Sequence, residues 1–158
     1  MPIVETPKTT LIHAGHTGQV LGLVTRGKRR EPVTEVTEWD LSSAADHARS
    51  SKRAVTLISS EQVQAVAAIL GRDGLDWKPL RRNVLLQGIN PLSLIGRTFA
   101  IGDQVILKGT RSCDPCERME EIVGTNGYAA MVGMGGVCAS IVQTGIIRVG
   151  DRVRVLEG

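Results

Sequence analysis

Two closely spaced cysteines mark the part of the sequence best suited to chemistry. Cys113 and Cys116 enclose an Asp-Pro dipeptide, and Arg111 and Arg118 lie on either side of the pair. A guanidinium group close to a cysteine stabilises the thiolate relative to the thiol. Because the thiolate is the form that attacks electrophiles, carries sulfur or ligates metals, this stretch is the first candidate for a functional site.

The segments around the two cysteines predict how their side chains are positioned. Residues 104–109 have the apolar pattern of a strand, and residues 117–123 resemble a short helix. We therefore expect the thiols where a strand leads into a helix. The first turn of a helix exposes unpaired backbone N–H groups and carries a partial positive charge, and both favour a thiolate.

Four interpretations of the cysteine pair remain open from the residues alone. A Cys-x-Pro-Cys motif that opens a helix is typical of thioredoxin-type redox pairs, although the surrounding βαβ pattern is missing. The pair can also be half of a zinc site, with the other ligands drawn from Cys138, His13, His16 and His47, but their spacing matches no known zinc motif. The remaining interpretations are a buried structural pair and a single working thiolate that transfers sulfur or ligates a metal.

Outside the pair, most candidate residues have a structural or surface interpretation. Cys138 lies within the apolar segment 137–142, so we expect it to be buried as a small hydrophobic residue. The three histidines occur in polar stretches and are expected at the surface. Arg81, Arg82 and Asn83 form a second candidate site, because arginines bind phosphate through forked hydrogen bonds.

Composition limits the size of the fold and the kinds of partner. The 158 residues suffice for one hydrophobic core, and we expect a single domain over residues 1–158. Aromatic residues make up only 3% of the chain, so the core must be aliphatic. The same scarcity removes the platform on which nucleic-acid bases stack, so we expect no nucleic-acid partner. The net charge of +3 gives weak support to an anionic partner.

The cysteine count and the apolar segments indicate a cellular setting. Three cysteines are an odd number, and no stretch resembles a secretory signal peptide. No apolar run approaches the roughly 20 residues of a membrane-spanning helix. We therefore expect a cytoplasmic protein with free thiols and no membrane partner.

Short strands dominate the predicted secondary structure, and residues 1–15 are expected to be a loose arm. The clearest helix covers residues 61–70, where Ser59 and Gln62 have the spacing of a capping box. Strands are predicted at residues 19–25, 33–39, 54–58, 82–87 and 137–142. Short helical turns are expected at residues 90–96 and 127–131.

An internal similarity supports a closed sheet. Residues 98–107 and 146–156 share a pattern in which an apolar segment is followed by Gly-Asp and an alternating strand. Regular alternation of strands and helices is absent, which argues against a doubly wound parallel sheet. The predicted fold class is mainly β, a closed or partly closed antiparallel β-barrel with a few short helices.

Several segments together resemble a known family. The segments are Arg81-Arg82-Asn83-Val84, Gly88-Ile89-Asn90, residues 94–103, Cys113-Asp114-Pro115-Cys116, Gly135-Gly136-Val137 and residues 147–151. In order and spacing they resemble a stand-alone MOSC domain, the domain found at the C-terminus of molybdenum cofactor sulfurases, over about residues 53–156. Where that family usually shows Gly-Asp-x-His, this chain has Ala45-Asp46-His47.

The resemblance implies a barrel-like fold, a pterin-bound molybdenum cofactor and a cysteine that carries sulfur or ligates the metal. By motif, that cysteine corresponds to Cys116, and Cys113 has an assisting role. The phosphate of the cofactor would need hydrogen-bond donors. The candidates are Arg81, Arg82, Asn83, Arg111 and Arg118.

The resemblance also suggests two activities, sulfur transfer to metal centres or reduction of N-hydroxylated compounds. Nothing in the 158 residues resembles the pyridoxal-phosphate desulfurase domain associated with the family. We therefore expect a separate sulfur donor, such as a cysteine desulfurase, or a separate electron donor. The alternative function is a non-catalytic thiol redox or zinc-binding module that uses the Cys-x-Pro-Cys pair.

Overall fold

The computed structural model describes residues 14–28, 30–43 and 50–156. The ten strands of this part are β1 (Thr17–Thr25), β2 (Thr34–Val36), β3 (Glu38–Asp40), β4 (Val55–Ser59), β5 (Val84–Gln87), β6 (Thr98–Ile101), β7 (Val105–Ser112), β8 (Val137–Gln143), β9 (Ile146–Arg148) and β10 (Arg152–Val155). Three α-helices accompany them: α1 (Ser60–Ile69), α2 (Met119–Val123) and α3 (Gly127–Met131). Short 3-10 turns occur at Leu41–Ser43, Lys78–Leu80 and Pro91–Leu94.

Seven of these strands close into a barrel. The order around the ring is β1-β5-β4-β8-β7-β6-β10, and β10 pairs with β1 again to complete it. Every pairing in the ring is antiparallel except that of β4 with β5. Closure leaves the ring without a free edge strand. The predicted fold class, a mainly β, mostly antiparallel barrel with short helices, is confirmed.

The parallel pair of strands is connected by the helix that the sequence predicted most clearly. Helix α1 leaves β4 at Ser59, whose hydroxyl accepts a hydrogen bond from the backbone N–H of Gln62. The Gln62 side chain in turn accepts from the Ser59 backbone, which completes the capping box. Val63, Val66 and Ala67 are buried on one face of the helix. The helix ends one residue earlier than predicted.

The two Gly-Asp segments play equivalent roles on either side of β6. Gly102-Asp103 forms the turn between β6 and β7, while Gly150-Asp151 leads into β10. Both β7 and β10 pair with β6, so the two similar strands are its two neighbours. The sequence repeat therefore reflects adjacent positions in one closed sheet.

The predicted strand over residues 33–39 is wrong as a single element. β2 pairs with the end of β1, whereas β3 pairs with β9 in a separate two-stranded sheet. Only Thr37 separates β2 from β3, and it lies outside both strands. Sequence alternation runs through the whole stretch and does not reveal this change of partner.

The core is aliphatic, as the composition requires. One cluster fills the barrel, with Leu23, Leu57, Phe99, Leu107 and Val153 among its fully buried side chains. A second cluster lies between the barrel wall and the helices, and it includes Ile58, Val66, Leu80, Met119 and Met131. Among the described residues, no helix is long and apolar enough to cross a membrane.

Candidate functional site

The cysteine loop connects the end of β7 to α2. The strand extends to Ser112, further than predicted, and the helix begins at Met119 instead of residue 117. The Ser112 hydroxyl donates a hydrogen bond to the Asp114 carboxylate (3.0 Å), and the Met119 N–H donates to the Cys116 carbonyl (3.0 Å). Cys116 itself is exposed. The predicted strand–loop–helix order is present, with the thiols in the loop.

The other cysteine of the pair faces a different neighbour. Cys113 is only 5% exposed, and its backbone N–H donates to the carbonyl of Gly136 (2.9 Å). Its Sγ lies 3.1 Å from the Sγ of Cys138, which is buried in β8. The burial predicted for Cys138 is confirmed. The structure thus brings Cys113 together with Cys138, whereas Cys116 is open to solvent.

The two buried sulfur atoms share a hydrogen bond that makes them unequal. Acceptance of this bond lowers the pKa of Cys138, and the charges of Arg53, Arg111 and Arg82 lower it further. The same bond and burial raise the pKa of Cys113. The lower pKa of the pair therefore belongs to Cys138.

Four arginines surround this pair, and we call Arg26, Arg53, Arg82 and Arg111 the arginine cluster. Desolvation and repulsion from Arg81, Arg82 and Arg53 lower the pKa of Arg26, whereas the Cys113 sulfur opposes that effect. In the part of the chain that the structure describes, no carboxylate forms an ion pair with any member of the cluster. Concentrated positive charge without a carboxylate partner among these described residues is suited to an anionic ligand.

Strand order explains why arginines distant in sequence meet. Arg26 directly follows β1, while Arg53 and Arg82 each lie two residues before β4 and β5. Since β5 is antiparallel to β1 and parallel to β4, these three chain positions lie at the same rim of the barrel. Arg111 is the cross-strand partner of Cys138. Four separate segments thus supply one cluster.

The segment that carries Arg53 is attached directly to the cysteine strands. The Thr110 hydroxyl lies 2.5 Å from the Lys52 carbonyl and 3.0 Å from the Cys138 carbonyl. Thr110 occupies the irregularity between Gly109 and Arg111 in the pairing of β7 with β8. This contact holds the start of β4 beside the sulfur pair.

Arg82 is the buried member of the cluster. Its Nε donates to the Gly135 carbonyl (2.7 Å), and its Nη1 donates to the Leu80 carbonyl (2.9 Å). Gly135 comes directly before Gly136, whose carbonyl accepts the hydrogen bond of Cys113. Arg82 therefore supports the backbone around the sulfur pair and also adds a positive charge to it.

Asn83 is held entirely inside the sheet. Its Oδ1 accepts hydrogen bonds from the backbone N–H (3.0 Å) and the hydroxyl (3.1 Å) of Thr56, and its Nδ2 donates to the Val24 carbonyl (3.3 Å). The residue is 3% exposed. These contacts give Asn83 a role in joining β1, β4 and β5, and its predicted contact with a cofactor remains a prediction.

Arg81 and Arg118 lie together in a neighbouring cleft. Arg81 has a left-handed backbone (φ 63°) and donates to the carbonyls of Glu31 and Lys28. The Arg118 Nε lies 3.8 Å from the Glu121 carboxylate. Both arginines line a cleft of about 190 Å³ together with Arg30. The predicted basic residues therefore divide into two groups, with Arg82 and Arg111 beside the sulfur pair.

The zinc alternative receives no support from the described residues. Within residues 14–28, 30–43 and 50–156, no three His, Cys, Asp or Glu side chains are grouped closely enough to hold a metal ion. His16 is exposed. His13, His47, the stretch Ala45-Asp46-His47 and most of the predicted N-terminal arm lie outside the described residues.

Sequence reasoning missed Arg26, Arg53 and the contact of Cys138 with Cys113. Each arginine has a local signal, since it stands beside the end of a predicted strand, but many surface arginines do the same. The strand order that brings them together was not predictable from spacing. For Cys138, the apolar surroundings correctly indicated burial but could not reveal the Cys113 sulfur beside it.

The fold and this site define a class of protein, a small aliphatic β-barrel with a thiol-bearing loop beside clustered arginines at one rim. The sequence profile of the MOSC domain matches residues 44–154, well over half of the chain. The chain therefore belongs to the MOSC domain family. This confirms the resemblance found in the sequence.

Solved structures share the same fold at low sequence identity. The YuaD protein from Bacillus subtilis is similar with a TM-score of 0.77 and 17% identity, over 90% of this chain and 97% of that one. YiiM from Geobacillus stearothermophilus has a TM-score of 0.70 and 15% identity, over 89% and 75% of the two chains. YiiM from Escherichia coli has a TM-score of 0.64 and 16% identity, over 87% and 69%. No curated protein sequence matches significantly.

Proposed function

We propose that this MOSC protein binds the pterin-bound molybdenum cofactor at the barrel rim, with the arginine cluster holding its phosphate and Cys116 ligating its metal. The observation that carries the proposal is the arrangement of one loop. Its first cysteine, Cys113, is buried beside the arginine cluster, and Cys116, three residues later, is exposed. The family's association with this cofactor supports the same interpretation.

The charges at the rim fit the phosphate of such a cofactor. Four guanidinium groups without a carboxylate partner among the described residues repel one another, and a bound dianion would relieve that repulsion. Arginine binds phosphate through two parallel N–H donors. Arg53 and Arg111 are the strongest candidates for direct contact, because Arg82 already uses its Nε and Nη1 on backbone carbonyls.

The exposed thiol fits the metal. Thiolate sulfur is a soft ligand, and Cys116 is accessible on a loop outside the regular strands and helices. When bound, the cofactor would supply redox or sulfur chemistry at its molybdenum. The protein residues bind the anionic end, position the ligand against the rim and offer one sulfur ligand to it.

Two reactions are consistent with such a site, transfer of sulfur to a metal centre and reduction of N-hydroxylated compounds. Either reaction needs a second component, since a sulfur carrier must be loaded and a reductase must receive electrons. We propose a separate sulfur donor, such as a cysteine desulfurase, or a separate electron donor. Activity assays with each donor distinguish the two reactions.

Production in a host that makes the cofactor tests the binding proposal. Molybdenum is measured by mass spectrometry and pterin by fluorescence after oxidation, in the wild type and in Cys116→Ser. We expect metal in the wild type and its loss in the variant, with Cys113→Ser as the control that removes a buried thiol from the same loop. Equal metal in the wild type and Cys116→Ser, or no metal in either, would contradict the proposal.

A second experiment tests the arginine cluster. Arg53→Ala and Arg111→Ala each remove one candidate phosphate donor from the arginine cluster, so we expect each to reduce bound pterin severalfold. Arg154→Ala is the matched control, because Arg154 is an exposed arginine on β10, which is not adjacent to β4 or β8. An equal loss of pterin in all three variants would show that only the total charge matters.

The alternative function, a thiol redox module, also has one observation in its favour. The Sγ atoms of Cys113 and Cys138 lie 3.1 Å apart, closer than two unbonded sulfurs usually approach. The partner of Cys113 in such a module would be Cys138, whereas the sequence suggested Cys116. Redox chemistry of this pair is compatible with cofactor binding through Cys116.

A further inference from the structure

The Cys113–Cys138 contact is a feature that cofactor binding through Cys116 does not use. Both side chains are buried, with exposed fractions of 5% and 1%, and their sulfurs are separated by 3.1 Å. A disulfide has an S–S length of about 2.0 Å, so roughly 1 Å of movement separates the two thiols from a bond. The surroundings are charged as well as apolar, because the positive charges of Arg53 and Arg82 act to lower the pKa of both sulfurs.

The backbone holds the two cysteines in this arrangement. Ser112 pairs with Val137, so the next residue, Cys113, lies opposite Gly136 and is hydrogen-bonded to its carbonyl. Cys138 is two residues further along the chain, in β8, where it pairs with Arg111. The two cysteines are thus diagonal cross-strand neighbours.

The backbone next to the two cysteines requires a glycine at position 136. Gly136 has a φ of 85°, and a Cβ at this position would overlap the Leu57 carbonyl. Gly136 therefore fixes the backbone whose carbonyl accepts the hydrogen bond of Cys113, the first residue of the cysteine loop.

We propose that Cys113 and Cys138 are a redox-active pair, a site of oxidative modification that a peroxide converts to an intramolecular disulfide and a dithiol reduces again. The disulfide ties the first residue of the cysteine loop to β8. Cys116 remains free for a ligand. This proposal does not require the cofactor, and it assigns the redox partner of Cys113 to a residue 25 positions away.

The chemical step is balanced with hydrogen peroxide as the oxidant. The Cys138 thiolate attacks one peroxide oxygen, the O–O bond breaks, and the released hydroxide takes a proton to become water, leaving a sulfenic acid on Cys138. The Cys113 sulfur then attacks the Cys138 sulfur, its proton leaves with the sulfenic hydroxyl as a second water, and the S–S bond forms. Two thiols are oxidised by two electrons and one peroxide is reduced to two waters.

The electrostatics of the pair are suited to the first of these steps. The acidified sulfur of Cys138 reacts as the nucleophile, and Arg53, Arg82 and Arg111 supply positive charge around it. For the second step the Cys113 sulfur lies 3.1 Å from the Cys138 sulfur that it attacks, and its proton leaves with the sulfenic hydroxyl as water. Peroxide is small enough to enter when the loop after Ser112 opens locally.

Oxidation of the full-length protein with hydrogen peroxide tests the proposal. We expect the three alkylatable thiols of the chain to fall to one, with a mass loss of two hydrogens and a proteolytic fragment that joins Cys113 to Cys138. The remaining alkylated residue should be Cys116, and dithiothreitol should restore all three thiols. A Cys113–Cys116 link or a link between two molecules would overturn the proposal. It would also be overturned if all three thiols survive while free cysteine, added to the same tube as a control, is oxidised.

Two serine variants separate the pair from the third thiol. Cys116→Ser should form the same disulfide as the wild type. Cys113→Ser should form none and instead accumulate a sulfenic acid on Cys138, which dimedone traps and mass spectrometry locates. Disulfide loss in Cys116→Ser, or an unreactive Cys138 in folded Cys113→Ser, would contradict the assignment. If Cys113→Ser does not fold, Cys113→Ala and the fragment map of the wild type decide the question.

Discussion

Arg82 and Arg111 occupy the same rim but differ in burial. Arg82 donates to the carbonyls of Gly135 and Leu80 from a buried position, whereas Arg111 is exposed. We expect Arg82→Ala to lower the free energy of unfolding by about 2–4 kcal/mol, since it leaves buried acceptors unpaired. Arg111→Ala should change it by less than about 0.5 kcal/mol. Urea unfolding of both variants measures the difference, and equal losses would contradict the structural role of Arg82.

The unequal pKa values of the sulfur pair predict a pH dependence of stability. The pKa of Cys138 is lowered in the folded state by its hydrogen bond from Cys113, so above this lowered pKa the unfolded chain binds more protons than the folded one. The free energy of unfolding should therefore rise with pH until about pH 8.5, the ordinary pKa of a thiol, and this contribution is lost as pH falls through the lowered value. Above pH 8.5 the raised pKa of Cys113 should reverse the slope.

Urea unfolding at a series of pH values measures this slope. Cys138→Ser should abolish the rise that the pair contributes, while Cys116→Ser, which leaves the pair intact, serves as the control. The same slope in the wild type and Cys138→Ser would show that Cys138 carries no lowered pKa in the folded protein.

Among single residues, the sequence predicted the cysteine loop but not the surroundings of each sulfur. Reading along the chain could find the motif around Cys116. It could also find Arg82 and Arg111, the two predicted basic residues that lie beside the sulfur pair. Arg26, Arg53 and Cys138 could not be grouped with them, because their proximity depends on the pairing of β1, β4, β5 and β8. The polar type of Asn83 likewise suggested a ligand, but its hydrogen bonds lie within the sheet.

At the level of elements, the turn before β8 determines where the cysteines meet. Gly136 and Gly133 both have positive φ angles, 85° and 74°, but only at Gly136 would a Cβ overlap the backbone of β4. We expect Gly133→Ala to cost about 1 kcal/mol, the cost of a left-handed alanine. Gly136→Ala should cost more than about 4 kcal/mol or prevent folding, because strain and backbone overlap add. Thermal unfolding of the Gly133→Ala and Gly136→Ala variants compares the two costs. Similar melting temperatures would contradict the close packing at Gly136.

Elements whose signals are local could be predicted, and those that depend on pairing could not. The capping box of α1 involves Ser59 and Gln62, three residues apart, so the helix was predictable within one residue at each end. The segment 33–39 changes partner at Thr37, and the alternating pattern is the same on either side of that residue. Residues 117–118 appeared helical but precede α2, since helix ends depend on local capping contacts.

For the whole molecule, oxidation of the sulfur pair should change the affinity of the arginine cluster for anions. The acidified Cys138 supplies negative charge beside Arg53, Arg82 and Arg111, and a disulfide removes it. Removing one negative charge beside the arginine cluster should raise its affinity for an anion severalfold. Calorimetric titration with inorganic pyrophosphate should therefore show tighter binding to the oxidised protein. Equal affinity, or weaker binding after oxidation, would contradict the electrostatic link, and Cys113→Ala treated with the same oxidant is the control.

The barrel as a whole was predictable because many short strands, an aliphatic composition and the Gly-Asp repeat all indicate a closed sheet. The parallel pairing of β4 with β5 was not predicted, although α1 between them is the connection that such a pair requires. This single pairing brings Arg53 and Arg82 to one rim. The site therefore depends on a topological detail that local sequence patterns do not determine.

We propose above that Cys116 gives its sulfur to a metal held at this rim. X-ray absorption at the molybdenum edge of cofactor-loaded protein counts the sulfur ligands directly. We expect one sulfur ligand beyond those of the cofactor itself in the wild type and in Cys113→Ser, and the loss of that sulfur, or of the metal altogether, in Cys116→Ser. An unchanged sulfur shell around a fully retained metal in Cys116→Ser would contradict it.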